Sequence, residues 1–124
     1  MKFRYARHCN DLQTLKEFYC EVLGLKVVGS FQNHEQYNGV FLSYENCNWE
    51  IEFTQSASLA NHKPDDDDIL VLYPTTTQHY SEILNKINKQ GVEILKSKNP
   101  YWNQNGVLIK DSEGFNVVVA KYKA

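Results

Sequence analysis

The chain has 124 residues, 42% hydrophobic and 23% charged, the proportions of an ordinary globular domain and far from those of disordered or fibrous chains. Thirteen basic against fifteen acidic residues leave a formal charge of -2, which supplies no electrostatic footprint for nucleic acid or an anionic membrane. Cys9, Cys20 and Cys47 are odd in number and lack CxxC spacing, so neither a disulfide framework nor a structural zinc site is indicated; with no apolar run near the ~20 residues of a membrane span and no leader-like N-terminus, a cytoplasmic protein with a small-molecule or protein partner is expected.

In chain order, Lys2 to His8 reads as a strand. Leu12, Leu15, Phe18, Tyr19 and Val22 follow at helical spacing, and Gly24 stands where a helix C-cap belongs. Three more strands are predicted at Lys26 to Phe31, Gly39 to Tyr44 and Trp49 to Phe53. The last alternates cleanly, with Trp49, Ile51 and Phe53 on one face and Glu50 and Glu52 on the other. Ser56 to Pro64, followed by the acids Asp65 to Asp68, reads as a polar linker with a solvated charge run.

The second half then restarts. Ile69 to Tyr73 is a strand candidate, and Tyr80, Ile83, Leu84 and Ile87 form a helical stripe that ends at Gly91. Strands are predicted at Glu93 to Leu95, Val107 to Lys110 and Phe115 to Ala120, with Asn99 to Trp102 in a loop before the penultimate one. Gly24 to Ser30 matches Gly91 to Ser97, and Asn38 to Leu42 matches Asn105 to Ile109, at a constant offset of 67 residues. Asn-Gly pairs and capping glycines are common turn chemistry, but the shared offset is not. The chain therefore reads as α+β, two βαβββ modules at 1–55 and 68–124 joined by a linker at 56–67.

The residues Asp11-Leu12, Phe18-Tyr19, Leu23-Gly24-Leu25, Ile51-Glu52-Phe53 and Asp111-Ser112-Glu113-Gly114-Phe115 resemble the glyoxalase and bleomycin-resistance superfamily, also called vicinal oxygen chelate proteins. The hairpin Phe31 to Glu35 and the loop Asn99 to Trp102 resemble those of small bacterial members. The resemblance implies two half-barrels flanking a central cleft, often in a homodimer. It leaves activity open, because the superfamily holds isomerases, dioxygenases, thiol transferases and drug binders.

With strand alternation, the resemblance implies that Arg4, Ala6 and His8 face the cleft, as do Glu50 and Glu52, Asp68, Leu70 and Leu72, and Asn116, Val118 and Ala120. Positions that hold a divalent metal in metal-dependent members map to Arg4, Glu52, Asp68 and Val118. A guanidinium and a valine supply no lone pair, so no metal cofactor is expected there. Arg4 is instead expected to pair with Glu52 or to bind an anionic group. His8 beside Glu52 is a candidate proton shuttle, with Glu52 as base. His34, Tyr101 and Trp102, together with Arg4 and Asp68, are candidate binding residues under an aromatic rim that includes Phe31 and Tyr37. The expected function is metal-free binding of a small organic molecule. The alternative is a lyase or isomerase, or a metal-dependent dioxygenase-type enzyme, with Glu52 as base or ligand.

Overall fold

A computed structural model describes residues 1–123. The elements run β1 (Phe3–His8), α1 (Leu12–Glu21), β2 (Lys26–His34), β3 (Tyr37–Ser43), β4 (Trp49–Gln55), β5 (Ile69–Leu72), α2 (Thr77–Lys89), α3 (Pro100–Asn105), β6 (Gly106–Lys110) and β7 (Asn116–Ala120). The class is α+β, and the chain divides into two compact units, Met1–His62 and the residues from Lys63 onward. No helix among the described residues is long and apolar enough to cross a membrane.

In the first unit the sheet order is β1-β4-β3-β2, with β1 parallel to β4 and the other pairs antiparallel. Helix α1 starts at Asp11, whose carboxylate accepts from the Thr14 amide at 3.1 Å, satisfying a donor that the first turn leaves free. It ends at Gly24, φ 76°, where the Leu25 amide reaches back to the Tyr19 carbonyl at 3.1 Å. That is the glycine C-cap that the sequence predicts. The buried stripe Leu15 and Tyr19 meets β3 and β4, and the Tyr19 and Phe53 rings stand 5.0 Å apart. Leu42, Ile51 and Phe53 complete this core. Arg7 is also buried there: it donates to the Tyr19 hydroxyl at 3.2 Å and lies 5.0 Å from the Phe53 centroid.

The second unit repeats the plan with changes. Its sheet order is β5-β7-β6, β5 parallel to β7. Helix α2 is capped by Thr76, whose hydroxyl accepts from the His79 amide at 3.0 Å, and it ends before Gly91, φ 69°. The strand predicted at Glu93 to Leu95 is reduced to a single bridge, Leu95 to Leu108. The Asn103 side chain explains why pairing stops. It accepts from the Ser97 amide at 2.7 Å and donates to the Ser97 carbonyl at 3.1 Å, so the backbone is drawn away from the ladder. The segment predicted as a loop at Asn99 to Trp102 is the start of α3, with Asn99 as N-cap and Pro100 in the first turn. Helix α3 lies against β6 and β7, and every residue of β7 is buried.

The matched Asn-Gly pairs are not turns. Gly39 lies inside β3, where an added Cβ would sit 2.2 Å from the Phe31 ring, and a Cβ on Gly106 would sit 2.7 Å from the Val119 carbonyl. Both glycines allow close approach across a sheet. The turn that does reverse the β2–β3 hairpin is Glu35-Gln36, at φ 49° and 71°, a primed two-residue turn built without glycine.

Candidate functional site

The parallel register sets Arg4 opposite Glu50, Ala6 opposite Glu52 and His8 opposite Thr54, and the antiparallel register sets Phe41 opposite Glu52. Residues in register share a face. One face of the first sheet therefore carries Arg4, Ala6, His8, Phe41, Glu50 and Glu52, and the other is the core under α1.

Arg4 is expected from the sequence to pair with Glu52, but its principal partner is Glu50. Nε and Nη2 of Arg4 donate to one Glu50 oxygen at 2.8 and 2.5 Å, while Nη1 stands 3.8 Å from Glu52. Lys2 adds a second cation 3.2 Å from Glu50. Burial of Glu50 works to raise its carboxyl, but the hydrogen bonds from Arg4 and Lys2 outweigh it and hold the group below its ordinary range. The guanidinium also lies 4.4 Å from the Phe41 centroid, so it is fixed by a carboxylate and an aromatic face together. Glu52, with 16% side-chain exposure, has only the long contact to Arg4.

Aromatic rings continue the face. Phe31 lies over Gly39 and stands 5.8 Å from Phe41. His34, exposed at the end of β2, meets Phe31 edge-on at 6.2 Å. Tyr37, 45% exposed, meets His8 at 5.7 Å.

The register sets His8 opposite Thr54, with Glu52 opposite Ala6 two residues away. His8 Nδ1 lies 2.9 Å from the Thr54 hydroxyl and its Nε2 lies 2.9 Å from the Ser58 carbonyl. A carbonyl only accepts, so Nε2 carries the proton and Nδ1 accepts from Thr54. The expected shuttle is thus engaged at both nitrogens, Nδ1 with Thr54 of β4 and Nε2 with the segment at 56–58. His62 Nε2 donates to the His8 carbonyl at 2.7 Å.

Asp68, Tyr101 and Trp102 belong to the second unit. The register there pairs Ile69 with Asn116 and Val71 with Val118, so Asn116 and Val118 share a face with Ile69 and Val71, not with Leu70 and Leu72 as alternation alone suggests. Counted by pairing, the counterpart of Arg4 is Ile69, because Arg4 opposes Glu50 and Ile69 opposes Asn116, the residue on the equivalent rung. Asp68 falls one residue out of phase and instead closes a turn, accepting from the Asp65 amide at 3.3 Å. The acid run is exposed, as expected, and carries turn chemistry besides: Asp65 accepts from the Asp67 amide at 2.9 Å, and the Asn116 side-chain amide donates to the carbonyls of 65, 66 and 68. In α3, Tyr101 and Trp102 meet edge-on at 4.9 Å, and Tyr73 joins Trp102 at 6.5 Å.

The metal that the resemblance associates with this fold does not fit these residues. Arg4 is a bound cation at one expected position, and Val118, fully buried, offers no donor at another. Among the described residues no group of three or more His, Cys, Asp and Glu side chains is placed to hold a metal ion.

Residues 3–54 match the model of the YycE-like N-terminal domain, and residues 67–121 match that of the YycE-like C-terminal domain. The uncharacterized protein YycE of Bacillus subtilis is 32% identical over 123 residues, covering 98% of this chain and 88% of that protein. The chain belongs to the YycE-like family. A crystal structure of YycE from Bacillus subtilis, described as of unknown function with a provisional glyoxalase/fosfomycin resistance assignment, superposes with a TM-score of 0.86 at 34% identity, covering 99% of this chain and 90% of that one. The fold extends to the trypanothione-dependent glyoxalase I of Leishmania major, TM-score 0.72 at 20% identity over 95% and 84% of the two chains. It extends also to a Streptomyces antibiotic-binding protein, TM-score 0.70 at 14% identity over 99% and 96%. The fold is thus the one found in glyoxalase and bleomycin-resistance proteins.

Proposed function

We propose that this YycE-like chain binds a small, planar organic molecule on the half-exposed face of its first sheet, without a metal ion. The observation that carries this reading is the fixed Arg4. Held by Glu50 and stacked on Phe41, it presents Nη1 as a donor beside the Glu52 carboxylate as an acceptor. Ala6, exposed on the same face, leaves space above the sheet, and Phe41, Phe31 and Tyr37 supply ring surfaces for stacking. Preorganised donors and rings lower the entropy cost of binding. Isothermal titration with a panel of planar aromatic compounds tests it. A compound that binds saturably to the wild type is expected to lose roughly ten-fold or more in Arg4→Ala, and equal affinity for the two proteins contradicts the reading.

A second reading makes the same face catalytic, as a lyase or isomerase with Glu52 as base and Arg4 stabilising an enolate-like oxyanion. It is supported by the Glu52 carboxylate, half-buried and touched only by the 3.8 Å contact to Arg4. Turnover of a bound compound that disappears in Glu52→Gln, while binding persists, selects this reading; binding without turnover selects the first. Two chains pairing as a homodimer belongs to the same proposal, supported by Phe3 and Tyr5, 66% and 43% exposed along the outer strand β1. Sedimentation equilibrium checks it.

A further inference from the structure

The second unit holds a feature outside the site above. A cavity of about 330 Å³ is floored by Leu95 and Leu108, the bridged pair, and rimmed by Lys96, Lys98 and Lys110. The register puts Lys110 opposite Asn116 and Leu108 opposite Val118, so the third lysine projects from the same face as the cavity floor. Ser97 belongs to the lining as well. It is only 3% exposed, and its Oγ has no hydrogen-bond partner in the protein. Its backbone is held on both sides by Asn103, which fixes the position of its Cα.

Two costs are left unbalanced in this arrangement. A buried hydroxyl without a partner is unfavourable, and three ammonium groups around one small cavity repel one another. Among the described residues none of the three lysines has an ion pair. Asp66 is the one acid on the wall, which leaves a formal charge of about +2 against the about -1.5 to -2 of a phosphate monoester near neutral pH. A phosphate oxygen at Ser97 relieves the first cost, and its charge relieves the second.

We infer that Lys96, Ser97, Lys98 and Lys110 form a subsite for the phosphate of a small phosphate monoester. Lys98 also lines a neighbouring cavity of about 530 Å³ with Ile69, Val71 and Trp102. The organic part of the ligand lies there, against two aliphatic side chains and an indole. Both cavities are built from the second unit alone, so the subsite stands or falls independently of the Arg4 face.

Amide-resolved NMR of the full chain tests this, with inorganic phosphate as first probe and sodium chloride at matched ionic strength as control. Phosphate is expected to move the amides of Ser97, Lys98, Lys110 and Asn116 saturably, and chloride is not. Ser97→Ala is expected to melt no lower than wild type, because the hydroxyl has no protein partner to lose, yet to weaken phosphate binding roughly ten-fold, the scale of one charge-assisted hydrogen bond. Lys98→Gln, at an exposed residue, is expected to weaken it similarly and guards against a folding defect in the serine variant. Phenyl phosphate is expected to bind more tightly than phosphate and to move the Trp102 indole signal. The inference is overturned if chloride reproduces the phosphate shifts, if acetate binds as tightly as phosphate, if both variants bind like wild type, or if phenyl phosphate gains nothing and leaves Trp102 unmoved.

Discussion

Arg4→Ala removes the guanidinium that separates Glu50 from Glu52, and its consequences follow from the geometry. Carboxylates at i and i+2 on one strand face lie about 7 Å apart; at an effective dielectric near 20 they repel by about 2 kcal/mol. Lys2 still reaches Glu50 at 3.2 Å, but its side chain is 62% exposed, so it screens only part of this. The Arg4 side chain is itself 44% exposed whereas Glu50 is 10% exposed. The expected loss therefore lies between that of a surface pair and that of a buried one, about 1 to 3 kcal/mol, measured by urea unfolding followed by circular dichroism. The pH dependence gives the sign. In the wild type the Glu50 carboxyl is held low, so the folded state binds fewer protons there than the unfolded state. Its contribution is present in full above the unfolded carboxylate pKa of about 4.3 and is lost as the pH falls through the lower folded value. Without Arg4, burial and Glu52 move the carboxyl up, so the variant gains less from raising the pH. The stability gap should widen between about pH 3.5 and about pH 7. A gap of the same size at both ends, or a variant as stable as wild type at neutral pH, refutes the assignment.

Three further outcomes are expected. Gly39→Ala sets a Cβ 2.2 Å from Phe31 and should cost about 1 to 3 kcal/mol as the ring is displaced, read by thermal melting; an unchanged melting temperature contradicts the packing described. Glu35→Asn with Gln36→Gly places residues suited to the left-handed backbone at φ 49° and 71° and should stabilise by about 0.5 to 2 kcal/mol, in the same assay. His8→Ala removes the Nε2 contacts to the Ser58 carbonyl and the Ser56 hydroxyl, so amides of residues 56–58 should exchange with solvent faster while those of β3 do not, by hydrogen exchange.

Much of the fold is legible in the sequence, because each helix carries its stripe, cap and terminal glycine together, and because Trp49 to Phe53 alternates without a break. Helix α3 was equally open to reading: Asn99 followed by Pro100 is a start signal, but it also reads as a turn when no apolar stripe follows. The strand at Glu93 to Leu95 was not legible as a single bridge, since the Asn103 clamp that diverts it lies six residues downstream of Ser97. The site divides along the same line. Alternation places Glu50 and Glu52 together on the face of Arg4, but which of them Arg4 meets depends on the register between β1 and β4, which no single strand carries. The same gap explains Asp68, whose phase relative to Val118 is set by pairing rather than by its own neighbours. Buried Arg7 was missed for another reason: a cation between apolar residues on a strand gives no sign of the Tyr19 hydroxyl that receives it.

The central claim is that the Arg4 face of the first sheet binds a small organic molecule without a metal. Amide-resolved NMR with a library of planar aromatic compounds, in the presence of a chelator, tests it most directly. Saturable shifts gathered at Arg4, Ala6, Phe31, Phe41 and Glu52 are expected. Metal-free binding at this face is contradicted if no compound saturates, if the shifts gather elsewhere, or if binding appears only once the chelator is replaced by a divalent transition metal.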